Sequence, residues 1–379
     1  MPEASRRGIR NRSARPAVAN TAVPEGDARI ATLTPIPALL RELNCDAARV
    51  LASVGFELSV FDNPENRVSF ARAGALIEAC VAATGVPHFG LLAGSRFDLS
   101  MLGVLAQLMR SSDSVRTALQ QLVRHLHLND RGAVGFMVDL NRERFALGYA
   151  IYRSDTPGID QIYDLAMANG AQIMRSLCGP AWKPKLVSFA HGTPPDVAPY
   201  NRYFRAPLQF DAAHTEMIVA SRWLDQPLAE ADPAVRMAAE RVALADERGA
   251  DGRLVERARQ AVQGLVMSGG ASSPRVAELL GVNERVLRRH LHAEGTSIQQ
   301  LVGSARFEGA CQLLRSTHLT LAEIAATLGY SDATAFSRAF RGWTQITPSA
   351  WRSQVQAART RTAGVTAPDK ASPARQSRR

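Results

Sequence analysis

The chain has 379 residues, 46% of them hydrophobic, and a formal net charge of +10. That length predicts two domains, and that apolar content excludes a globally disordered chain. No apolar run reaches the ~18 residues that a membrane-spanning helix needs, and the arginine-bearing N-terminus lacks the apolar segment of a secretory signal.

The charge is informative only once divided. Residues 1–20 carry +4 and residues 352–379 carry +6, which is the whole of the excess. Between them, residues 21–250 carry −3 and residues 251–351 carry +3. A mildly acidic part is followed by a mildly basic part, which suits a last hundred residues that meet a polyanion. Because 42 of the 45 basic residues are Arg, codon usage is an equally good source of the charge, and charge alone decides little. Cys45, Cys80, Cys178 and Cys311 lie far apart without metal or redox spacing, so they read as reduced, mostly buried thiols of a cytoplasmic protein.

Along the chain, the first 28 residues and the last 25 lack periodicity and read as disordered basic tails. Helical periodicity starts near Pro35, with Leu39, Leu40 and Leu43, and resumes from Ala47 to Val54. "SFARAGALIEACVAATG" (69–85) predicts a helix with Ser69 as N-cap and Gly85 as stop. Residues 100–128 predict two helices split near Ser111–Ser114. The period then changes: 133–140 and 144–152 predict a hairpin of two strands, followed by a helix over 159–179. Strands over 185–191 and 215–220 flank a short helix at 197–204. The expectation is an α+β domain of about 200 residues with an antiparallel sheet. Asp232 and Pro233 open another helix, and "DERGADG" (246–252) reads as a hinge, after which every predicted element is helical.

The last hundred residues contain a weak internal repeat. "VAELLGVNERVLRRHL" (276–291) and "IAATLGYSDATAFSRAF" (324–340) align through Gly281 and Gly329, and then Leu287 matches Phe336, Arg289 matches Arg338 and Leu291 matches Phe340. Each copy reads as a short helix, a glycine turn and a second amphipathic helix, which is a helix-turn-helix. In the first, Val276, Ala277 and Leu280 pack, Gly281 supplies a left-handed turn, Asn283 caps, and Val286, Leu287 and Leu291 form the buried stripe. In the second, Thr320 caps, Ile324, Ala325 and Leu328 pack, Gly329 turns, Ser331 caps, Asp332 also reads as a cap that suits the helix dipole and repels phosphate, and Phe336 and Phe340 pack. A helix from about Ile298 to Arg315 joins the copies and spans on the order of 27 Å, near the ~34 Å between successive major-groove faces of DNA.

These residues resemble the AraC/XylS family of bacterial transcription regulators. The best-matching block is "IAATLGYSDATAFSRAFRGWTQITPSAWR" (324–352), and "HAEGTSIQQLVGSARFEGACQLL" (292–314) fits the family's linker region. "AGALIEACVAATG" (73–85), "HFGLLAG" (88–94) and residues 185–228 resemble the arabinose-binding-like effector domain of many members. The resemblance covers roughly residues 35–352 and, with the composition, gives the expected organisation: a basic tail (1–28), an effector-binding domain (29–232), a linker (233–252), an all-α DNA-binding domain with two helix-turn-helix motifs (253–352) and a second basic tail (353–379). It places base contacts at Arg285, Arg288 and Arg289; with His292 these form the outer face of the first recognition helix, and Ala333, Thr334, Ser337, Arg338 and Arg341 are the outward positions of the second, so all nine are candidate DNA contacts. Arginine can bond both acceptors of guanine. The alternative for Arg338 and Arg341 is an ion pair with an acidic neighbour. The implied partners are promoter half-sites of double-stranded DNA, a small-molecule effector, RNA polymerase for activation, and a second copy in a homodimer, with no membrane. Two positions depart from the family: Gln345 stands where many members carry Gly, and Trp351 replaces a Tyr or Phe.

The sequence shows no catalytic constellation and implies no cofactor. "GLLAGS" (90–95) lacks the phosphate-binding Lys-Ser/Thr, and His125 and His127 sit two apart, which suits no metal pair on a helix. No cysteine stands in the Pro-Cys-His-Arg setting of Ada-type methyltransferases. Tyr149, Tyr152, Trp182, Tyr200 and Tyr203 read either as pocket lining or as core. The main reading is an effector-controlled activator in the cytoplasm, on the nucleoid. The alternatives are a regulator controlled by dimerisation or a protein partner, and an enzyme fused to a DNA reader.

Overall fold

The computed structural model describes residues 26–247, 252–267, 271–280 and 282–365. The reading of Gly281 as the turn residue, and most of the tails and hinge, lie outside these residues.

The N-terminal domain opens with β1 (Asp27–Arg29), which lies partly inside the span expected to be tail. Helices α1 (Ile36–Glu42) and α2 (Ala47–Ser53) follow, then β2 (Arg67–Ser69), antiparallel to β1. Helix α3 (Phe70–Thr84) begins where the Ser69 hydroxyl accepts the Arg72 N–H and ends at Gly85, whose φ of 67° is left-handed. Next come α4 (Phe89–Ser95), α5 (Val104–Arg110) and α6 (Val115–His125), the last capped by Ser114.

Strands β3 (Ala133–Asp139) and β4 (Arg144–Ile151) form the expected hairpin, and α7 (Ile159–Cys178) crosses behind it. β5 (Leu186–Ser188), α8 (Ala198–Phe204), β6 (Leu208–Gln209) and β7 (Glu216–Ala220) complete a five-stranded sheet of order β3-β4-β7-β5-β6. The sheet is mixed rather than antiparallel throughout, because β6 pairs parallel with β5. The two-residue β6 is too short for periodicity to reveal.

Alternation on β4 sorts the sheet's faces. Phe145, Leu147 and Ile151 point toward α7 and the domain core, while Ala150 and Tyr152 pack with Val134 and Phe136 on the opposite face. Helix α9 (Pro233–Glu247) starts at Asp232, whose carboxylate accepts the Ala234 N–H at 2.8 Å. It is not a free linker: Ala239 and Ala243 are buried in the same core as α5.

The C-terminal domain comprises α10 (Gly252–Met267), α11 (Ser273–Leu280), α12 (Glu284–Ala293), α13 (Ile298–Ser316), α14 (Leu321–Thr327), α15 (Ala333–Thr344) and α16 (Pro348–Val365). It has two cores rather than one. Val276, Ala277, Leu287 and Leu291 gather with Ile298, Leu301 and Ala305 from the first half of α13. Ile324, Leu328, Phe336 and Phe340 gather with Ala310, Leu313 and Leu314 from its second half. Val286 is 36% exposed and outside the buried stripe, since Leu287 already occupies the inward position.

The two domains are docked. Helix α10 packs on β3 and β4, and Ala190, just past β5, is buried in the second C-terminal core.

Candidate nucleic-acid interface

The first recognition helix, α12, is oriented by its cap and its two leucines. The Asn283 side chain accepts the Arg285 N–H at 2.8 Å, and Leu287 and Leu291 are at most 1% exposed. Arg285, Arg288, Arg289 and His292 consequently stand on the solvent side, all exposed. They are not equally free. The Arg288 guanidinium is held by the Glu284 carboxylate one turn back, and its Nε lies 3.5 Å from the Ser273 hydroxyl. Arg285 and Arg289 have no ion pair among the described residues. Sequence spacing carries this distinction, because Glu followed four residues later by Arg is a helix-surface pair.

The second unit repeats the scaffold with different details. Thr320 and Glu323 form a reciprocal capping box at the start of α14, and Gly329 adopts φ 71° at the turn. Asp332, not Ser331, caps α15: its carboxylate accepts the Ala335 N–H at 2.7 Å, while the Ser331 hydroxyl donates to Asp332 at 2.9 Å. These donors hold the Asp332 carboxyl below its ordinary range, first through the Ala335 amide and then through Ser331. A fixed negative charge therefore sits where a phosphate would approach the helix start.

Phe336 and Phe340 are fully buried, so the opposite face presents Thr334, Arg338 and Arg341 as exposed and Ala333 and Ser337 as half-buried. Neither Arg338 nor Arg341 makes an ion pair within 4 Å among the described residues, although the Arg338 charge contributes to holding Asp332 ionised. At the far end Gln345 itself adopts the left-handed conformation, φ 63°, which costs about 1 kcal/mol relative to Gly. Trp351 fills the apolar slot, with its ring 6.0 Å from Phe340.

Between α12 and the first half of α13 lies a groove of about 760 Å³, lined by Arg288 and His292 on one side and by Arg306 and Tyr330 on the other. Arg306 stacks on the Tyr330 ring at 5.0 Å. The repeat gave no hint of Arg306, which lies on the joining helix.

Other residues missed by sequence reasoning tie α13 to the N-terminal domain. The Ser154 N–H and hydroxyl both donate to the Glu308 carboxylate at 2.9 Å. Gln312 donates to the Tyr163 hydroxyl at 2.6 Å, and the His318 N–H donates to Asp211 at 2.9 Å. Beside this junction Asp164 is fully buried, accepting from the Tyr200 hydroxyl at 2.6 Å and lying 3.2 Å from His191 Nε2. Burial depresses the His191 pKa, but the hydrogen bond and charge of Asp164 outweigh it and raise it to about 9. The trio braces α7 against α8 and the end of β5.

Of the aromatic candidates, Tyr152, Trp182 and Tyr200 are core residues, Tyr203 is half-buried against Arg175, and Tyr149 borders a small pocket with Leu147 and Met217. Burial pushes the thiols of Cys80, Cys178 and Cys311 up to about 12, which leaves them inert. Among the described residues no cluster of potential metal ligands occurs, and no single helix is long and apolar enough to cross a membrane.

Both halves of the chain have relatives among known proteins. Residues 45–228 match the arabinose-binding domain found N-terminally in AraC transcription regulators, and residues 276–354 match a helix-turn-helix domain. The HTH-type transcriptional regulator VirS of Mycobacterium tuberculosis is 27% identical over 315 residues, 83% of this chain and 93% of that protein. The ornithine utilization regulator of Pseudomonas aeruginosa is 29% identical over 319 residues, 82% of this chain and 90% of that protein. The crystal structure of the transcriptional regulator CdpR from Pseudomonas aeruginosa aligns with a TM-score of 0.41 and 25% identity, covering 83% of this chain and 98% of that one. Two helix-turn-helix units on a shared helix, behind an arabinose-binding-type domain, place this chain in the AraC family of DNA-binding transcription regulators.

Proposed function

We propose that the chain is an effector-controlled transcription activator that reads two successive major-groove segments with α12 and α15. Arg285 and Arg289 bond guanine edges, Arg288 joins them after leaving Glu284, and His292 meets the backbone. Ala333 and Thr334 touch thymine methyls, Ser337 makes an adaptable polar contact, and Arg338 and Arg341 hold phosphates. The N-terminal domain binds a small molecule, the protein acts on the nucleoid as a homodimer on paired half-sites, and activation proceeds through contact with RNA polymerase.

One observation carries the reading. Helix α13 contributes to both recognition cores and also bears Glu308 and Gln312, which the N-terminal domain holds. Any change in the N-terminal domain at Ser154 or Tyr163 reaches the helix that spaces the two readers. Control of this kind requires a ligand whose affinity differs between the two arrangements.

Selection of random duplexes by the full chain tests it. The expected winners contain two motifs about one helical turn apart, the guanine-rich one lost when Arg285 and Arg289 are both replaced by Ala. Winners with one motif, or none, would refute two-site reading. Effector control is read by screening metabolites for changes in melting temperature and in operator affinity.

A further inference from the structure

Where α7 ends and the chain turns toward β5, beside the end of α8, lies an open cleft of about 870 Å³. Its described lining comes from the N-terminal domain alone. Arg175, Lys183, Arg202 and Arg205 line it together, with Asp98 as the one carboxylate among the described residues. None of the four cations makes an ion pair within 4 Å among the described residues. Asp98 is engaged elsewhere, accepting the Ser100 N–H at 2.8 Å. The positive excess runs against its surroundings, since residues 21–250 carry −3. Two helix C-termini meet here, and their dipoles offset roughly half a unit charge each. Set against four positive side chains and one negative, that leaves a charge of about +2.

Arg175 is the fixed point of the cleft. It is half-buried, and its guanidinium stacks on the Tyr203 ring at 4.6 Å. It donates to the Tyr203 carbonyl at 2.7 Å and to the Gln172 side-chain oxygen at 3.3 Å. Those bonds use two of the five guanidinium N–H groups, so a held, planar fork keeps donors for a carboxylate or phosphate. Lys183, Arg202 and Arg205 are exposed and free to close on what Arg175 holds. We propose that this cleft is a binding site for a small dianion, a dicarboxylate or a phosphate monoester. A monoanion would leave half of the local charge unmet, and the volume suits a metabolite, for which clefts of about 300–1,000 Å³ are usual. This deepens the effector-control reading and rests on it for its consequence. Arg175 and Tyr163 stand on the same helix, about 18 Å apart along its axis, and Tyr163 receives Gln312 of α13. One continuous helix thus joins the cleft to the contact on the element that packs in both helix-turn-helix cores.

The test titrates the full chain at low salt and pH 8 with succinate, inorganic phosphate and acetate, followed by the indole N–H signal of Trp182, which lines the cleft. That signal separates binding here from binding at the readers, where Trp343 and Trp351 report instead. Succinate or phosphate should shift Trp182 saturably and bind about tenfold more tightly than acetate. The tighter of the two tells a dicarboxylate site from a phosphate one. Replacing the exposed pair together, Arg202→Gln with Arg205→Gln, should weaken the dianion about tenfold or more without disturbing the fold. Arg175→Lys keeps the charge but loses the fork and should also weaken it. A Trp182 signal that no dianion moves, shifts confined to Trp343 and Trp351, acetate binding as tightly as the dianions, or unchanged affinity in the double variant would each overturn the site. So would a double variant that only lowers affinity for DNA, which would assign these cations to phosphates of the duplex. Operator affinity in succinate or phosphate, against acetate at the same ionic strength, separates the two levels. A dianion that binds here without changing operator affinity refutes control through this cleft, whereas failure to bind leaves effector control by another site standing.

Discussion

The two helix-turn-helix units share a scaffold and differ in what they expose. Both bury two residues four apart on the second helix, Leu287 with Leu291 and Phe336 with Phe340. The first unit packs around aliphatic side chains. The second packs around an aromatic cluster in which Phe307, Phe336, Phe340, Trp343 and Trp351 meet at ring separations of 5.5 to 6.3 Å. Outside, the first offers three arginines and a histidine, and the second offers two arginines among small and polar residues. The second is also the better fastened, with a capping box at α14 and the N-terminal domain's Ala190 in its core. The proposed function assigns this difference to two tasks, reading bases and fixing register.

The sharpest way to break this comparison is to remove a core residue from each unit. Phe336→Ala is expected to cost about 3–5 kcal/mol and Leu287→Ala about 2–5 kcal/mol of stability, measured by denaturant unfolding. If the second unit fixes register, Phe336→Ala should erase the whole footprint, whereas Leu287→Ala should leave partial protection of one half-site. A smaller effect probes the docking. Gln312→Leu removes the shorter of the two hydrogen bonds that the buried Tyr163 hydroxyl accepts, leaving the Ile151 N–H at 3.3 Å, and should cost about 1 kcal/mol, while also changing operator affinity, since α13 packs in both helix-turn-helix cores. Smaller again is the release of Arg288. Glu284→Gln frees that guanidinium and should tighten DNA binding a few-fold at low salt, with the gain vanishing as salt rises.

The last prediction concerns pH and the brace beside the junction. His191 has a folded pKa of about 9 against an ordinary value of 6.5. Its folded form therefore binds a proton more tightly than the unfolded chain, so its stabilising contribution is complete below about pH 6.5 and is lost as pH rises through 9. Thermal melts between pH 6 and 10 should show the N-terminal domain weakening upward through that window, and His191→Gln should flatten the slope. A slope of the opposite sign would mean that His191 is neutral in the fold.

Much of this architecture is legible in the amino-acid sequence. Caps and stops such as Ser69 with Gly85, and Asp232 with Pro233, mark helix ends because their side chains or φ angles meet a local need. The internal repeat reveals both recognition helices and the exposed arginines. Three kinds of feature stay hidden. Strand β6 is two residues long and shows no period. Val286 is apolar but adjacent to Leu287, and helix geometry lets only one of the pair face inward. Contacts such as Ser154 with Glu308, and Asp164 with His191, join residues 154 and 27 positions apart, where no local pattern exists to be read. The pairing of Arg288 with Glu284 belongs to neither group, since its four-residue spacing is visible in the sequence.

The central claim, that α12 discriminates bases while α15 positions the protein, is tested most directly at the matched arginines 289 and 338. Each is replaced by Ala, and affinity is measured against an operator and a set of its single-base variants over a range of salt. Arg289→Ala should relax preference at one guanine, a loss of about 1–3 kcal/mol confined to that base pair. Arg338→Ala should weaken binding to every variant alike and reduce the salt slope by about one. Base-specific loss of equal size from both substitutions, or its appearance only with Arg338→Ala, would contradict the division.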